Sequence, residues 1–227
     1  MKLAALISGG KDSLYALYTM SKKHEIAYLL TVFPERDDSY MFHHPNLSLT
    51  KLQAEAMGIP LLTRVTKGEK EKELEDLKRL FSKVKDRVDG IVSGALASRY
   101  QKQRIDKLCE ELGLKSLAPL WGISGEELWK QLLENKFEVI VTSVAAMGLS
   151  KEWLGRKIDH EAFEELKKMA EKYRFHLGFE GGEAETFVLN MPLFKKKIVI
   201  KKARKMWDEK SNTGKYIIEE ASLMRKH

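Results

Sequence analysis

The stretch LAALISGGKDSLYALYTM, residues 3–20, decides the fold of this chain. It begins with a short apolar run, as a buried strand does, and it ends in a segment that we interpret as a helix. Between them lie Gly9 and Gly10, which allow a tight turn and a close approach of the backbone to a ligand. The stretch therefore predicts a strand, a glycine-rich loop and a helix, which is how a parallel α/β sheet begins.

The alternation of strands and helices continues beyond this first unit. Strands are predicted at residues 2–7, 26–33, 60–64 and 88–92, and helices at 13–23, 47–57, 69–85 and 100–112. This order predicts a parallel twisted sheet flanked by helices. Further on, helices are predicted at 126–135 and 159–173 and strands at 139–144, 197–205 and 215–223. We therefore predict two domains, an α/β domain at 1–118 and a smaller C-terminal α+β domain at 119–227.

Composition and charge exclude several classes of protein. Of the 227 residues, 43% are hydrophobic, which is enough for a globular core, and the net charge of +7 permits an anionic partner without requiring one. The longest apolar stretch, residues 139–149, is too short to span a membrane, and residues 1–13 lack the pattern of a secretory signal. We expect a cytoplasmic protein with no membrane partner.

The single cysteine, Cys109, excludes an internal disulfide and any CxxC site. It lies on the apolar face of the helix predicted at 100–112. We therefore expect a packed thiol in the core rather than a reactive one.

The motif SGGKDS is the strongest candidate for a phosphate-binding loop, because it follows the first strand at the edge where α/β sheets bind ligands. Backbone amides and hydroxyls at a helix N-terminus can surround phosphate oxygens. Lys11 adds a positive charge, and Asp12 can cap the helix or hold a water of a magnesium ion. The candidate phosphate-binding residues are Ser8, Gly9, Gly10, Lys11, Asp12 and Ser13.

Two other phosphate motifs do not fit this loop. A P-loop needs a glycine and a Ser or Thr where this sequence has Ala5 and Asp12, and no GxGxxG occurs. The motif instead resembles the pyrophosphate-binding loop (PP-loop) of N-type ATP pyrophosphatases, which split ATP into AMP and pyrophosphate. The resemblance implies ATP and Mg²⁺ as cofactors, with Lys11 offsetting charge at the α-phosphate.

Two further segments follow predicted strands. MFHHPN, residues 41–46, is a candidate nucleotide-contacting loop with His43 near the adenine or ribose, or else a surface loop. GALASRYQKQR, residues 94–104, begins with Gly94, which permits close approach to a ligand, and continues into a helix whose start favours anions. Capping and solvated polar residues are the alternative there. The candidate substrate-binding residues of this helix are Ser98, Tyr100, Gln101 and Arg104.

GFEGGEAETFVLNMPLF, residues 178–194, places three glutamates beside an apolar run. A spacing of two residues would put Glu183 and Glu185 on one face of an extended segment. Paired carboxylates can bind a cation, orient ammonium or act as a base, and Glu180 is a weaker candidate for the same work. A solvated acidic turn is the alternative.

Taken together, the segments resemble the diphthine–ammonia ligase family. The matching stretches are SGGKDS, MFHHPN, VSGALASRYQKQR, MGLSKEWLGR and EGGEAETFVLNMPLF, in the family's order from residue 8 to residue 194. The departures are Ala184, where an aromatic residue is common, and Asn190 and Ala95, where aspartate is common. The resemblance implies an adenine nucleotide alpha hydrolase-like fold of the HUP type.

The resemblance also implies a reaction. The family amidates the carboxylate of diphthine, a modified histidine on translation elongation factor 2, with ATP and ammonium, through an acyl-adenylate and with release of AMP and pyrophosphate. Elongation factor 2 and ammonium would be the partners, RNA is not expected, and self-association stays open. The implied catalytic residues are Lys11, Glu183 and Glu185; nucleotide contacts would come from the glycine loop, His43 and Gly94, and substrate contacts from Ser98, Tyr100, Gln101, Arg104 and Glu180.

Two alternatives stay open at this point. One is a PP-loop ligase that modifies transfer RNA, whose binding would weaken steeply with salt. The other is an ATP-binding protein without catalysis, which would not need the glutamate cluster.

Overall fold

A computed structural model of the chain describes residues 1–34, 46–66 and 70–226. Its first half alternates strands β1 (Lys2–Leu6), β2 (Glu25–Pro34), β3 (Leu61–Thr66), β4 (Gly90–Val92) and β5 (Lys115–Leu117) with helices α1 (Lys11–Ser21), α2 (Thr50–Met57), α3 (Lys70–Ser82) and α4 (Arg99–Glu111). The strands pair in the order β3-β2-β1-β4-β5, and every pairing is parallel. The predicted parallel sheet flanked by helices is confirmed.

The second half contains helices α5 (Gly125–Glu134) and α6 (His160–Tyr173) and strands β6 (Glu138–Val144), β7 (Ala184–Asn190), β8 (Lys196–Asp208) and β9 (Thr213–Arg225). These strands form a smaller antiparallel sheet in the order β7-β6-β9-β8. The predicted α+β part is therefore confirmed. Strands β5 and β7 are absent from the sequence-based prediction, since β5 has only three residues and β7 begins inside a glycine- and glutamate-rich segment.

Local signals in the sequence set the ends of several helices. Helix α2 ends at Gly58, which adopts the left-handed conformation with φ of 71°. The side chains of Ser98, Ser124 and Asp159 begin α4, α5 and α6 by accepting a hydrogen bond from a backbone amide of the first turn. These caps agree with the helices predicted from the sequence.

One apolar cluster is shared by both sheets. Leu3 of β1 and Leu14 of α1 belong to the same cluster of buried side chains as Trp129 of α5 and Phe187 of β7. Helix α1 thus packs against the parallel sheet and also against the second half of the chain. The division into domains at residue 118 stays a prediction, and this shared core couples the two halves.

A second apolar cluster covers the opposite face of the parallel sheet. It contains Phe81 of α3 and Ile91 of β4 together with Cys109 of α4. Burial raises the pKa of the Cys109 thiol to about 12, so the thiol stays protonated at neutral pH. The expectation that Cys109 is packed in the core is confirmed. Among the described helices, none combines the length and the apolar character that crossing a membrane requires.

The loop after β4 touches the start of α1 at Gly94. A Cβ atom at this position would lie 2.5 Å from the amide nitrogen of Ser13 and 2.7 Å from the carbonyl carbon of Asp12. Two backbone segments therefore meet here with no room for a side chain. From the sequence, we expect Gly94 to allow close approach to a ligand. In the structure, Gly94 lies close to the start of α1, the helix that follows the glycine loop.

We expect Gly94→Ala to destabilise the protein by at least about 3 kcal/mol, because backbone atoms cannot give way as a flexible side chain can. Gly113→Ala is the matched control. That glycine has φ of 69°, and a Cβ atom there would meet nothing within 4 Å, so the alanine costs only the left-handed strain of about 1 kcal/mol. Denaturant unfolding measures both values, and equal losses would contradict the proposed contact.

Candidate functional site

A cavity of about 480 Å³ opens beside the carboxyl ends of β1 and β4. Most of its lining comes from the glycine loop, from the loop after β4 with the first turns of α4, and from Phe179, Glu180, Gly182 and residues 184–186 of the second half. This volume lies in the range of small-molecule binding pockets. The two halves of the chain therefore build one site together.

Hydroxyl groups hold the glycine loop closed. The amide of Ser8 donates to the hydroxyl of Ser13 at 3.1 Å, and that hydroxyl lies 3.2 Å from the carbonyl oxygen of Gly10, to which it donates. Gly10 lines the cavity, and no described residue accepts a hydrogen bond from its amide. An N–H group at the start of a helix is thus available to an anion in the cavity.

Lys11 is buried, with a side chain only 2% exposed. Its ammonium group donates to both carboxylate oxygens of Asp12, at 2.8 and 2.9 Å, and to the carbonyl oxygen of Gly178 at 2.7 Å. The rings of Trp129 and Phe179 lie 5.6 and 5.3 Å from the same nitrogen. Lys11 therefore neutralises Asp12 and connects the glycine loop to the second half of the chain.

Strand β7 docks directly onto the glycine loop. The amide of Val188 donates to the carbonyl oxygen of Gly9 at 3.0 Å, and the amide of Lys11 donates to the hydroxyl of Thr186 at 3.1 Å. Thr186 thus supplies the N-terminal cap that α1 lacks locally, since its N-cap residue is a glycine. Lys11 and Thr186 are 175 residues apart in the sequence, so no local pattern predicts this contact.

Gln53 of α2 completes the same junction. It is fully buried, and its side-chain amide donates to the carbonyl oxygens of Gly9 and Val188, at 3.0 and 2.9 Å. Sequence reasoning missed Gln53. The available signal was a polar residue between Thr50, Ala54 and Met57 on the buried face of a short helix.

The three glutamates have different surroundings. Glu180 and Glu185 line the cavity, and a carboxylate oxygen of Glu180 accepts a hydrogen bond from the amide of Ala97 at 3.1 Å. Burial, and then the charge of Asp12, raise the pKa of Glu180. This carboxyl group therefore connects the second half of the chain to the loop after β4.

Glu183 does not share a face with Glu185, contrary to the expectation from their spacing. Strand β7 begins at Ala184, so Glu183 belongs to the preceding turn. Its two carboxylate oxygens accept hydrogen bonds from the amides of His176 and Gly181, at 2.9 and 2.8 Å. Glu183 shapes the turn before β7 and is not part of the cavity lining.

The candidate residues of α4 are divided between the cavity and the surface. Gln101 and Arg104 line the cavity, and Ser98 both lines it and caps the helix. Tyr100 is 44% exposed and lies outside the lining, and its ring is stacked 3.8 Å from the guanidinium carbon of Arg104. His43 lies outside the described residues.

The donor set of the cavity suits magnesium bound together with phosphates. Within the described ranges, no group of three or more His, Cys, Asp or Glu could hold a metal ion alone. Mg²⁺ commonly uses one or two carboxylates, with waters and substrate phosphates as its other ligands. The charge of Asp12 contributes to the raised pKa of Glu180, so the two carboxyl groups are close enough for such a site.

Comparisons with known proteins agree over most of the chain. Family models described as "Diphthamide synthase N-terminal domain" and "Diphthamide synthase C-terminal domain" match residues 1–116 and 124–224. The chain is 37% identical over 223 residues to the diphthine–ammonia ligase of Homo sapiens, covering 88% of this chain and 83% of that protein. The Danio rerio enzyme is 37% identical over 222 residues, covering 88% and 86%.

One relative and one solved structure match at lower identity. The diphthine–ammonia ligase of Saccharomyces cerevisiae is 31% identical over 230 residues, covering 86% of this chain and 33% of that longer protein. A solved structure described as a predicted subunit of tRNA methyltransferase from Methanocaldococcus jannaschii matches with a TM-score of 0.46 and 15% identity, over 85% of this chain and 98% of that one. Similarity at that level supports no conclusion about this chain.

We expect Glu180→Gln to change the pH dependence of stability. A carboxyl group whose pKa is raised by folding favours the folded state when it is protonated, so its contribution is lost as the pH rises from about 4.5 through the raised pKa. The melting temperature of Glu180→Gln relative to the native protein should therefore increase between pH 4.5 and pH 8. Thermal denaturation at several pH values checks this, and a constant difference would contradict the raised pKa.

Proposed function

Because the chain belongs to the diphthine–ammonia ligase family, we propose that it amidates the carboxylate of diphthine on translation elongation factor 2 with ammonium, at the expense of ATP. The observation that carries the proposal is the shared cavity. In it, a glycine loop with an available amide at a helix N-terminus faces carboxylates supplied by the second half of the chain. A ligase of this kind needs both groups in one place, since the loop would bind the nucleotide that activates the acid and a carboxylate would take a proton from the amine.

In the proposed complex, the triphosphate of ATP lies at the N-terminus of α1. The amide of Gly10 and the hydroxyl group of Ser8 contact its oxygens, and Ser13 joins them after its hydroxyl group turns from the carbonyl oxygen of Gly10. Lys11 offsets charge near the α-phosphate, after its ammonium group turns from Asp12 towards the nucleotide. Mg²⁺, when bound, neutralises phosphate charge, and Asp12 and Glu180 are the residues that would hold it through water.

The reaction then has two steps. In the first, a carboxylate oxygen of diphthine attacks the α-phosphorus, the bond from that phosphorus to the bridging oxygen of the β-phosphate breaks, and pyrophosphate leaves. In the second, ammonia attacks the carbonyl carbon of the acyl-adenylate, and AMP leaves as the amide forms. Ammonium must lose a proton before it can attack, and Glu185 in the cavity wall is our candidate to accept it.

The protein substrate would approach over the start of α4. Gln101 and Arg104 line the cavity there, while Tyr100 presents an exposed ring beside them. The first turn of this helix contains no acidic residue, so it can accept a carboxylate. Arg104 is our candidate to orient the carboxylate of diphthine. A cytoplasmic location goes with this proposal, because the substrate is a translation factor.

A single assay tests the reaction. With ATP, ammonium and diphthine-bearing elongation factor 2 all present, we expect AMP and pyrophosphate to form, and AMP formation to stop when the factor is omitted. AMP formation without the factor would contradict the assigned substrate, and ADP as product would contradict the acyl-adenylate. A tRNA-modifying ligase would form AMP with transfer RNA in place of the factor, and an ATP-binding protein without catalysis would form none.

We expect Glu185→Gln to lower the rate of amidation at least about 100-fold while ATP affinity stays within about threefold, because a general base contributes 10²–10⁴-fold to rate and not to nucleotide binding. Glu110→Gln, on the exposed surface of α4, is the matched control and should keep full activity. Amidation rates and ATP titration measure both. A fully active Glu185→Gln enzyme would remove Glu185 from the mechanism.

A further inference from the structure

We propose that Gln53 is a positioning residue that fixes the direction of the Gly10 amide in the phosphate-binding loop. This inference rests on the proposed function, because it assumes that a phosphate group of ATP is what the amide binds. Gln53 lies outside the cavity lining, so any effect on the nucleotide must act through the loop.

The carbonyl group of Gly9 is the group through which Gln53 contacts the glycine loop. Its oxygen accepts two hydrogen bonds, from the backbone amide of Val188 and from the side-chain amide of Gln53, both at 3.0 Å. The second proton of the Gln53 amide is donated to the carbonyl oxygen of Val188 at 2.9 Å. Three groups from three parts of the chain are thus joined in one small ring of hydrogen bonds.

Because the peptide between Gly9 and Gly10 is planar and trans, holding the carbonyl group of Gly9 also fixes the direction of the N–H group of Gly10. In a trans peptide the C=O and N–H bonds point to opposite sides, and the described residues contain no cis peptide. The carbonyl group of Gly9 points to the junction with β7 and Gln53, so the N–H group of Gly10 points away from that junction. Gly10 lines the cavity, and the N–H group therefore faces the ligand space.

Gly9 needs such an anchor because its backbone is intrinsically free. It adopts φ of 87°, which glycine reaches as easily as negative values, and without a Cβ atom both of its backbone torsions are loose unless neighbours hold them. The space around it is closed as well, since a Cβ atom would lie 3.0 Å from the ring of Phe187 and 3.2 Å from the side-chain oxygen of Gln53. Gln53, together with the amide of Val188, therefore restricts the peptide that joins Gly9 to Gly10.

The chemistry of the position requires an amide nitrogen. Both of its partners are carbonyl oxygens, which accept hydrogen bonds only, and the NH₂ group of glutamine supplies two donors at the right separation. Methionine has similar length and volume and supplies none. Gln53→Met thus removes the two hydrogen bonds with little change in packing.

The test compares two variants that carry the same chemical change. We expect Gln53→Met to weaken Mg-ATP binding at least tenfold by isothermal titration calorimetry. Gln131→Met should stay within twofold of the native protein, because Gln131 accepts a hydrogen bond from Tyr15 where α5 meets α1 and lies outside the cavity lining.

Equal affinities for the native protein and Gln53→Met would overturn this inference alone. Failure of the native protein to bind Mg-ATP would overturn the proposed function, and this inference with it.

A second measurement on the native protein does not depend on how the variant folds. In ¹H–¹⁵N spectra, we expect saturating Mg-ATP to shift the Gly10 amide proton downfield and to slow its exchange with solvent, as a new hydrogen bond to an anion does. In Gln53→Met this response should shrink, whereas Gln131→Met should keep it. A Gly10 amide that stays unchanged when Mg-ATP binds the native protein would overturn the inference.

Discussion

The backbone hydrogen bond from Val188 to Gly9 is the contact on which the rest of the site depends. It sets strand β7 of the small sheet against the loop after β1, and the Thr186 hydroxyl then caps helix α1 from outside that helix. A glycine loop alone is flexible, because glycine has little conformational preference. Here the second half of the chain supplies the rigidity, so the glycine loop and the glutamates are held in one frame.

Charge is arranged along the same junction. The Lys11 ammonium group is out of contact with water and is balanced by the Asp12 carboxylate and by the Gly178 carbonyl group. A buried ammonium group without hydrogen-bond partners costs free energy of folding. The hydrogen bond to Lys11 therefore holds the loop that contains Gly178 in its observed position. Glu180 adds a bond from that loop to the amide of Ala97. Lys11, Asp12 and Glu180 all line the cavity, so a charged ligand there can compete for these polar contacts.

Much of the fold could be predicted from the sequence, and less of the site could. Alternating strands and helices predict a parallel sheet because parallel neighbours need a crossover of about a dozen residues or more, which is usually a helix. The glycine loop also follows from its sequence, since the motif and its place after β1 are local features. Glu183 shows the limit. A spacing of two residues places side chains on one face only within a strand, and Glu183 lies one residue before β7 begins.

The sequence by itself determined the parallel sheet, the helices that flank it, the buried Cys109 and the family to which the chain belongs, because these follow from local periodicity and motifs. Only the tertiary structure decided that Glu185 lines the cavity, that the Lys11 ammonium group is buried against the carbonyl group of Gly178, and that Gln53 and Thr186 contact the glycine loop. The physical reason is that these contacts join residues far apart in the chain. Hydrogen-bond partners at that separation are chosen by how two sheets pack on one core, and no local pattern encodes that choice.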